Sequence, residues 1–207
     1  MNLIDMPIGE LAPGEINAIV EIPKLCRNKY EYDPAIEAFR LDRVLSSPLI
    51  YPADYGFVPQ TLAGDGDPVD VLILMEQPGY PGIVTRVRPL GVLRMSDEKG
   101  EDTKVLAVPA NDRRYHGVER LSDLSPHILA EIEHFFTIYK ELDGQYPAVA
   151  GWLEREHAMS FIMESHRAYL EMNSIEPLEE SDTPFSVAFP DHRAARRQAR
   201  KVDGSTL

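Results

Sequence analysis

Three carboxylates stand close together in the chain, at Asp65, Asp67 and Asp70. The glycines among them permit tight backbone angles and a proline fixes a turn, so the three side chains can meet at the start of an apolar strand. Close anions repel one another unless a cation neutralises them, and carboxylate oxygens suit hard ions such as Mg²⁺ or Mn²⁺. The segment therefore predicts a divalent-metal site that works on a phosphorylated substrate. A solvated acidic turn is the simpler alternative.

Other metal motifs share parts of this pattern. A calcium EF-hand would have glycine at the position of Asp70 and flanking helices, which the sequence does not predict. A haloacid-dehalogenase-type phosphatase has Asp-x-Asp, which Asp65 and Asp67 satisfy, and would form an aspartyl-phosphate at Asp65. In that family the apolar strand precedes the acids, whereas here it follows them. A glycosyltransferase Asp-x-Asp is shorter and less specific, and a silent binding module with the same loop is a further alternative.

Composition limits the classes of protein that fit. The chain has 207 residues, which favours one domain, and its net charge of −13 argues against nucleic acid as a partner. Cys26 is the only cysteine, so no intrachain disulfide can form and a reducing compartment fits. Residues 1–7 lack the features of a secretory signal, and no apolar run is long enough to span a bilayer. We therefore expect a cytoplasmic protein without a membrane partner.

The first 110 residues read as short β-strands separated by loops of uneven length, a pattern typical of a small barrel. Residues 51–64 are an ordered loop with one short strand. The long strand 83–95 is expected to bend at Pro89 and Gly91. Strands are predicted at 16–22, 29–32, 39–45, 69–75, 83–95 and 104–108.

The carboxyl-terminal part reads as helical. Ser125-Pro126 is typical of a helix start, and apolar side chains at helical spacing continue to about residue 140. A second helix is predicted at 152–172. From residue 173 the chain has an acidic patch and then a basic one. We interpret 1–172 as a single catalytic domain and 173–207 as an extension, irregular or packed on a neighbouring subunit.

Several further segments, none decisive alone, together resemble family I soluble inorganic pyrophosphatases of the bacterial type. The matching motifs occur in the family's order over about residues 16–155, and the acidic loop fits the family signature in full. They are Glu21-Ile22-Pro23, Arg27-Asn28-Lys29-Tyr30-Glu31, Asp42-Arg43, Tyr51-Pro52, Asp54-Tyr55-Gly56, the loop Asp65 to Val71, the block Asp97 to Lys104, and His134-Phe135-Phe136 with Tyr139-Lys140.

The resemblance implies an enzyme that hydrolyses inorganic pyrophosphate to two phosphates with a metal-activated water and no covalent intermediate. It implies several Mg²⁺ ions per site, with Mn²⁺ or Zn²⁺ as alternatives. The implied fold is mainly β with α: a small OB-like five-stranded β-barrel flanked by two C-terminal helices. Bacterial-type members are generally hexamers, so we expect a homo-oligomer with a hexamer favoured.

The resemblance also implies roles for individual residues. Asp67 would be the general base or would orient the attacking water. The tight metal ligands would be Asp65, Asp70 and Asp102, and the ligands of further metals, directly or through water, would be Asp97, Glu21 and Glu31. The phosphate oxygens would be held by Lys29, Arg43, Tyr55, Lys104, Tyr139 and Lys140.

Overall fold

The structure, a computed structural model, describes residues 2–98 and 100–173. Within them the chain forms nine strands and two α-helices, together with short 3₁₀ turns. The strands are β1 (Ile16–Ile22), β2 (Asn28–Asp33), β3 (Ala38–Val44), β4 (Asp54–Phe57), β5 (Asp70–Ile73), β6 (Val84–Asp97), β7 (Gly100–Glu101), β8 (Lys104–Pro109) and β9 (Ala148–Glu154). The helices are α1 (Pro126–Ile138) and α2 (Arg155–Met172).

Five strands close into a ring. In order around it, β1 pairs with β4, β4 with β5, β5 with β8, β8 with β6, and β6 again with β1. The pair β5–β8 is parallel, and the other four are antiparallel. Together with α1 and α2, this ring confirms the predicted mainly β fold with a small five-stranded OB-like barrel and two helices.

Four strands lie outside the ring. The long strand β6 continues beyond it and pairs there with β7 and β9. The hairpin β2–β3 forms a separate two-stranded sheet. Its Tyr32 packs on Phe57 of β4, with ring centroids 6.1 Å apart, so the hairpin is attached to the ring through an aromatic contact.

Strand β5 is apolar on both faces because each face meets a buried layer. Val71 and Ile73 belong to the same apolar cluster as Ile162 of α2. Leu72 belongs to the cluster that contains Phe136 of α1. Alternate side chains of a strand point to opposite faces, so this strand reads as a continuous apolar run in the sequence.

Two backbone features determine how the strands meet. A Cβ atom at Gly56 would lie 1.8 Å from the carbonyl oxygen of Ile19, so β1 and β4 approach as they do only because residue 56 has no side chain. In β6, the register shifts between Pro89 and Gly91, where the sequence predicts a bend. Proline has no N–H to donate to the ladder, which is why the pairing changes there.

The predicted start of the second helix is wrong. The second helix begins at Arg155 instead of residue 152, because Trp152 and Leu153 belong to β9 and pair with Leu93 and Val92 of β6. Residues 174–207 lie outside the described residues, so the division into 1–172 and 173–207 stays a prediction. None of the helices in the described part combines the length and apolar character that crossing a membrane requires.

Candidate active site

A cavity of about 710 Å³ brings together every side chain to which the family resemblance assigns a catalytic, metal-binding or substrate-binding role. These residues come from seven strands, two loops and the end of α1, so their convergence is a property of the whole fold. The cavity is lined by Glu21, Lys29, Glu31, Arg43, Tyr55, Asp65, Asp67, Asp70, Asp97, Asp102, Lys104, Tyr139 and Lys140, with further residues described below.

Lys104 is at the centre of the charged side chains. It is the first residue of β8 and is paired in register with Asp70, the first residue of β5. Its buried ammonium donates to Asp70 Oδ2 at 2.8 Å, to Asp102 Oδ1 at 2.6 Å and to the Tyr55 hydroxyl at 3.0 Å. Burial alone would lower the pKa of Lys104, but the two carboxylates outweigh it and the pKa is raised. Lys104 therefore remains a cation.

A second buried cation lies just beyond the end of α1. Lys140 Nζ donates to Asp97 Oδ2 at 2.9 Å and to Glu98 Oε1 at 3.3 Å. Burial opposes the charge on Lys140, but these carboxylates raise its pKa. The preceding Tyr139 is buried against Phe135, with ring centroids 5.3 Å apart. Burial raises the pKa of Tyr139, so its hydroxyl stays protonated at neutral pH.

The hairpin β2–β3 contributes a further set of charged side chains, with two cations and two carboxylates. Lys29 forms an ion pair with Glu31 on the same strand, and its Nζ lies 3.4 Å from Asp42 Oδ2 on β3. Arg43 Nη1 donates to the same Asp42 oxygen at 3.0 Å. The two cations thus share Asp42, whose carboxylate keeps like charges close together at the cavity wall.

Glu21 occupies an irregular position in β1. The register with β4 shifts between Val20 and Ile22, and a bulge of this kind redirects a side chain. The carboxylate of Glu21 accepts the backbone N–H of Tyr32 at 2.7 Å. Burial raises the pKa of Glu21 to about 8, opposed by that hydrogen bond. A cation beside the carboxylate would favour its ionised form.

The acidic loop is the exposed part of the site. Residues 64–67 are exposed, and Gly66 has a φ of +93°, which side chains rarely adopt. The backbone N–H of Asp67 donates to Asp65 Oδ1 at 3.1 Å, so the Asp65 carboxylate holds the backbone of Asp67 in place. Both carboxyl groups line the cavity, as Asp70 does at the start of β5.

The donor set fits divalent cations. Among the described lining residues, ten carry carboxyl groups and four carry cationic groups, so the cavity has an excess of hard, anionic oxygen ligands. Within residues 2–98 and 100–173, no group of three or more His, Cys, Asp or Glu side chains is gathered as a ready metal cage. The Lys104 ammonium bridges Asp70 and Asp102 in that arrangement and compensates their charge.

Sequence reasoning assigned no role to some lining residues. Asp42 lies next to Arg43 in a matched motif, yet its position between two cations depends on the strand pairing. Tyr51 is buried between Tyr55 and Phe135, at centroid distances of 5.6 and 5.0 Å, and packs directly against the ring of Tyr55. The alternating polar pattern of β3 was the available signal for Asp42. Thr61, Glu98 and Glu101 also line the cavity.

A closed β-ring whose cavity combines many carboxylates with buried lysines is the arrangement expected of an enzyme that binds divalent cations and a small polyanion. Residues 18–170 match the family model described as inorganic pyrophosphatase. The chain belongs to the inorganic pyrophosphatase family and is a hydrolase of pyrophosphate, as the resemblance in the sequence predicts. Membership of this family implies a divalent metal cofactor.

The relatives match over nearly their whole length. The inorganic pyrophosphatase of Methanosarcina acetivorans is 46% identical over 157 residues, which cover 76% of this chain and 94% of the relative. That of Thermus thermophilus is 45% identical over 161 residues, covering 76% and 92%. The crystal structure of inorganic pyrophosphatase from Thermus thermophilus superposes with a TM-score of 0.80 at 43% identity, covering 82% of this chain and 99% of that one.

Proposed function

We propose that this enzyme hydrolyses inorganic pyrophosphate to two phosphates with Mg²⁺ as its metal and with no covalent intermediate. The observation that carries the proposal is the meeting of the carboxylate-rich loop with buried cations in a single cavity. Carboxylates can bind metal ions while lysine, arginine and tyrosine bind phosphate oxygens, which is the combination that a dense phosphate anion requires.

The proposed metal ligands are the carboxylates in that cavity. Asp65, Asp70 and Asp102 would hold the tightest ions, and Asp97, Glu21 and Glu31 would serve further ions directly or through water. When bound, such ions would neutralise the substrate and lower the pKa of a water towards ~7. Mn²⁺ and Zn²⁺ are alternatives to Mg²⁺, because oxygen ligands accept each of them to some degree.

The proposed substrate contacts come from side chains whose protonation state the structure favours. The ammonium groups of Lys104 and Lys140 have raised pKa values and stay charged. Burial raises the pKa of Tyr55 and Tyr139, so both hydroxyls remain hydrogen-bond donors at neutral pH. With Lys29 and Arg43 on the hairpin, these groups would donate to the oxygens of both phosphates.

Asp67 is the proposed proton acceptor. Its carboxyl group lines the cavity on the exposed part of the acidic loop, where the attacking water has access. The hydrogen bond from its backbone N–H to Asp65 Oδ1 fixes the backbone from which this carboxyl group projects. A carboxylate in this place takes the proton of the water as the bond to phosphorus forms, so no enzyme-bound phosphoryl group is needed.

The decisive experiment is an assay of phosphate release from pyrophosphate. We expect turnover with Mg²⁺, its loss in excess chelator and its return when Mg²⁺ is restored, with Mn²⁺ and Zn²⁺ compared in parallel. Asp67→Asn should lower kcat by about 10²- to 10⁴-fold, because general base catalysis contributes that much. The matched change Asp112→Asn, outside the cavity, should leave kcat unchanged. Release that continues in chelator would refute the metal requirement, and near-normal turnover of Asp67→Asn would remove the role of Asp67.

Two properties of the whole protein also stay proposals. We expect a homo-oligomer, with a hexamer favoured, and sedimentation of the full chain at several concentrations tests this. We also propose a cytoplasmic location, which the single cysteine, Cys26, supports because a reducing compartment suits such a chain. Imaging or fractionation of the untagged protein in its own cell tests that location.

A further inference from the structure

The acidic loop, residues 62–68, has little packing of its own to hold it. Residues 64–67 are exposed, and nothing lies within 4 Å of the Cβ positions of its two glycines. Inside the loop, Ala63 N donates to Asp67 O at 2.7 Å. That bond shapes the loop without attaching it to the ring. The positions of its two aspartates therefore depend on how the ends of the loop are fixed.

The two ends of the loop are joined by the hydroxyl group of Thr61. Val58 N donates to Val69 O at 2.9 Å, just beyond the paired residues of β4 and β5. In an antiparallel pair of this kind, Val69 N would donate back to Val58 O. Instead, Val69 N donates to Thr61 Oγ1 at 2.9 Å, and Thr61 Oγ1 donates to Val58 O at 2.6 Å. The hydroxyl is inserted into the ladder and replaces one backbone bond by two.

This hydroxyl is buried and has both of its bonds in a dry environment. Thr61 is 1% exposed, and Val58 and Val69 are fully buried. Without the hydroxyl, the Val58 carbonyl and the Val69 N–H would lose these bonds where water cannot replace them easily. The inserted hydroxyl therefore determines how far apart the two chain segments stand.

The two chain segments that the Thr61 hydroxyl holds apart contain the aspartates of the proposed reaction. Val69 is followed directly by Asp70, and Thr61 leads into the loop with Asp65 and Asp67. We propose that Thr61 is a positioning residue of the active site, whose hydroxyl sets the separation between Asp70 and the loop aspartates. This inference rests on the proposed function, in which these carboxylates hold metal ions and accept a proton.

Helix α2 prevents the backbone around Thr61 from shifting to compensate. On one side, Leu62 N donates to the carbonyl oxygen of Ser165 at 2.9 Å. On the other side, the carbonyl oxygen of Gln60 lies 2.6 Å from His166 Nδ1, which must carry the proton because a carbonyl can only accept. Thr61 is thus held between two contacts with α2, while its hydroxyl bridges Val58 and Val69 at the two ends of the loop.

The test compares two variants that separate the hydroxyl from the rest of the side chain. Thr61→Val keeps the shape and removes the hydroxyl, whereas Thr61→Ser keeps the hydroxyl and removes the methyl group. Displacements near 1 Å can cost about 10²-fold in rate, so we expect Thr61→Val to lower kcat by about 10- to 100-fold. It should also weaken Mn²⁺ binding, measured by paramagnetic resonance without substrate. Thr61→Ser should stay closer to the wild type in both measurements.

Thr137→Val is the matched control. Thr137 donates a similar hydrogen bond, to the carbonyl oxygen of Glu133, but lies on α1 away from the cavity, so kcat and Mn²⁺ binding should not change. Equal losses in Thr61→Ser and Thr61→Val would overturn the inference, because the methyl group would then be responsible. A folded Thr61→Val with normal kcat and Mn²⁺ binding would also overturn it, even if its melting temperature falls.

Hydrogen exchange on the wild-type protein tests the bond without any variant, in case Thr61→Val does not fold. The Val69 amide should exchange as slowly as the amides of β5, and exchange as fast as that of the exposed loop would overturn the inference. This result does not depend on turnover. If the wild type lacks activity with every metal, the proposed function fails while the exchange data still report the Thr61 bond. If the wild type is active and the variants match it, the inference alone fails.

Discussion

Lys104 offers the sharpest test of how the charges in the cavity balance. Lys104→Met keeps most of the aliphatic volume and removes an ammonium that donates to Asp70 Oδ2 at 2.8 Å and to Asp102 Oδ1 at 2.6 Å. The two carboxylates would then face each other without the shared cation. Hydrogen bonds to charged groups contribute about 1.5–3 kcal/mol each.

Two such bonds together contribute about 3–6 kcal/mol, and the expected loss lies at the lower end of that sum. The side chains of Asp70 and Asp102 are 28% and 15% exposed, so water can solvate part of the charge that Lys104 leaves. We therefore expect the free energy of unfolding to fall by about 3 kcal/mol without divalent metal. For a domain of this size that corresponds to a decrease in Tm of about 6–12 °C.

Divalent metal should reduce this difference. A ligand that binds the folded state stabilises it by RT ln(1 + [L]/Kd), about 2.7 kcal/mol at a hundred times Kd. Under the proposed function, Mg²⁺ would compete with Lys104 for Asp70 and Asp102 in the wild type, whereas in Lys104→Met the two carboxylates have lost that partner. Mg²⁺ should therefore stabilise the variant more than it stabilises the wild type.

Urea unfolding in chelator and in Mg²⁺ measures both effects. Lys24→Met is the control, because Lys24 is a partly exposed lysine outside the cavity, and its unfolding free energy should change by less than about 0.5 kcal/mol. A loss under about 1 kcal/mol for Lys104→Met in chelator would refute the charge argument. So would an equal gain from Mg²⁺ in the variant and in the wild type.

Two further predictions concern the frame of the site. Gly56→Ala should prevent folding, because the new Cβ would lie 1.8 Å from the carbonyl oxygen of Ile19. Gly64→Ala is the control and should fold, because nothing lies within 4 Å of the new Cβ. Near-UV circular dichroism distinguishes the folded variant from the unfolded one. Burial raises the pKa of Asp54 above 3.8, so its stabilising contribution is present at lower pH and is lost as pH rises through the folded-state pKa. Urea unfolding between pH 4 and 8 should show the wild type losing stability relative to Asp54→Asn. A constant difference would contradict this.

The acidic loop was predictable from the sequence because its chemistry is local. Asp65, Asp67 and Asp70 lie close in the chain, so spacing and turn residues were sufficient to bring them to one place. The cations could not be placed in this way. Lys104 meets Asp70 through the pairing of β5 with β8, which no local pattern specifies, and only the family resemblance indicated it.

Strand β9 was not predicted from the sequence, and it shows that local patterns are also insufficient to predict every element of the fold. Its residues Ala148, Ala150 and Gly151 have low strand propensity, and Trp152 and Leu153 continue the apolar spacing of the helix that follows. The segment is a strand because the free edge of β6 pairs with it. A long-range partner therefore overrides the local preference, and a helix start at residue 152 was the wrong reading.

The parallel pair β5–β8 has a consequence for synthesis of the chain. Asp70 and Lys104 are neighbours in the sheet, yet they are 34 residues apart in the sequence, and β8 enters the ring between β5 and β6, which both precede it in the chain. A nascent chain that ends before β8 thus carries Asp70 without the lysine that compensates its charge, and its ring is still open. The ribosome must deliver residue 109, the last of β8, before ring closure and charge balance are achieved together.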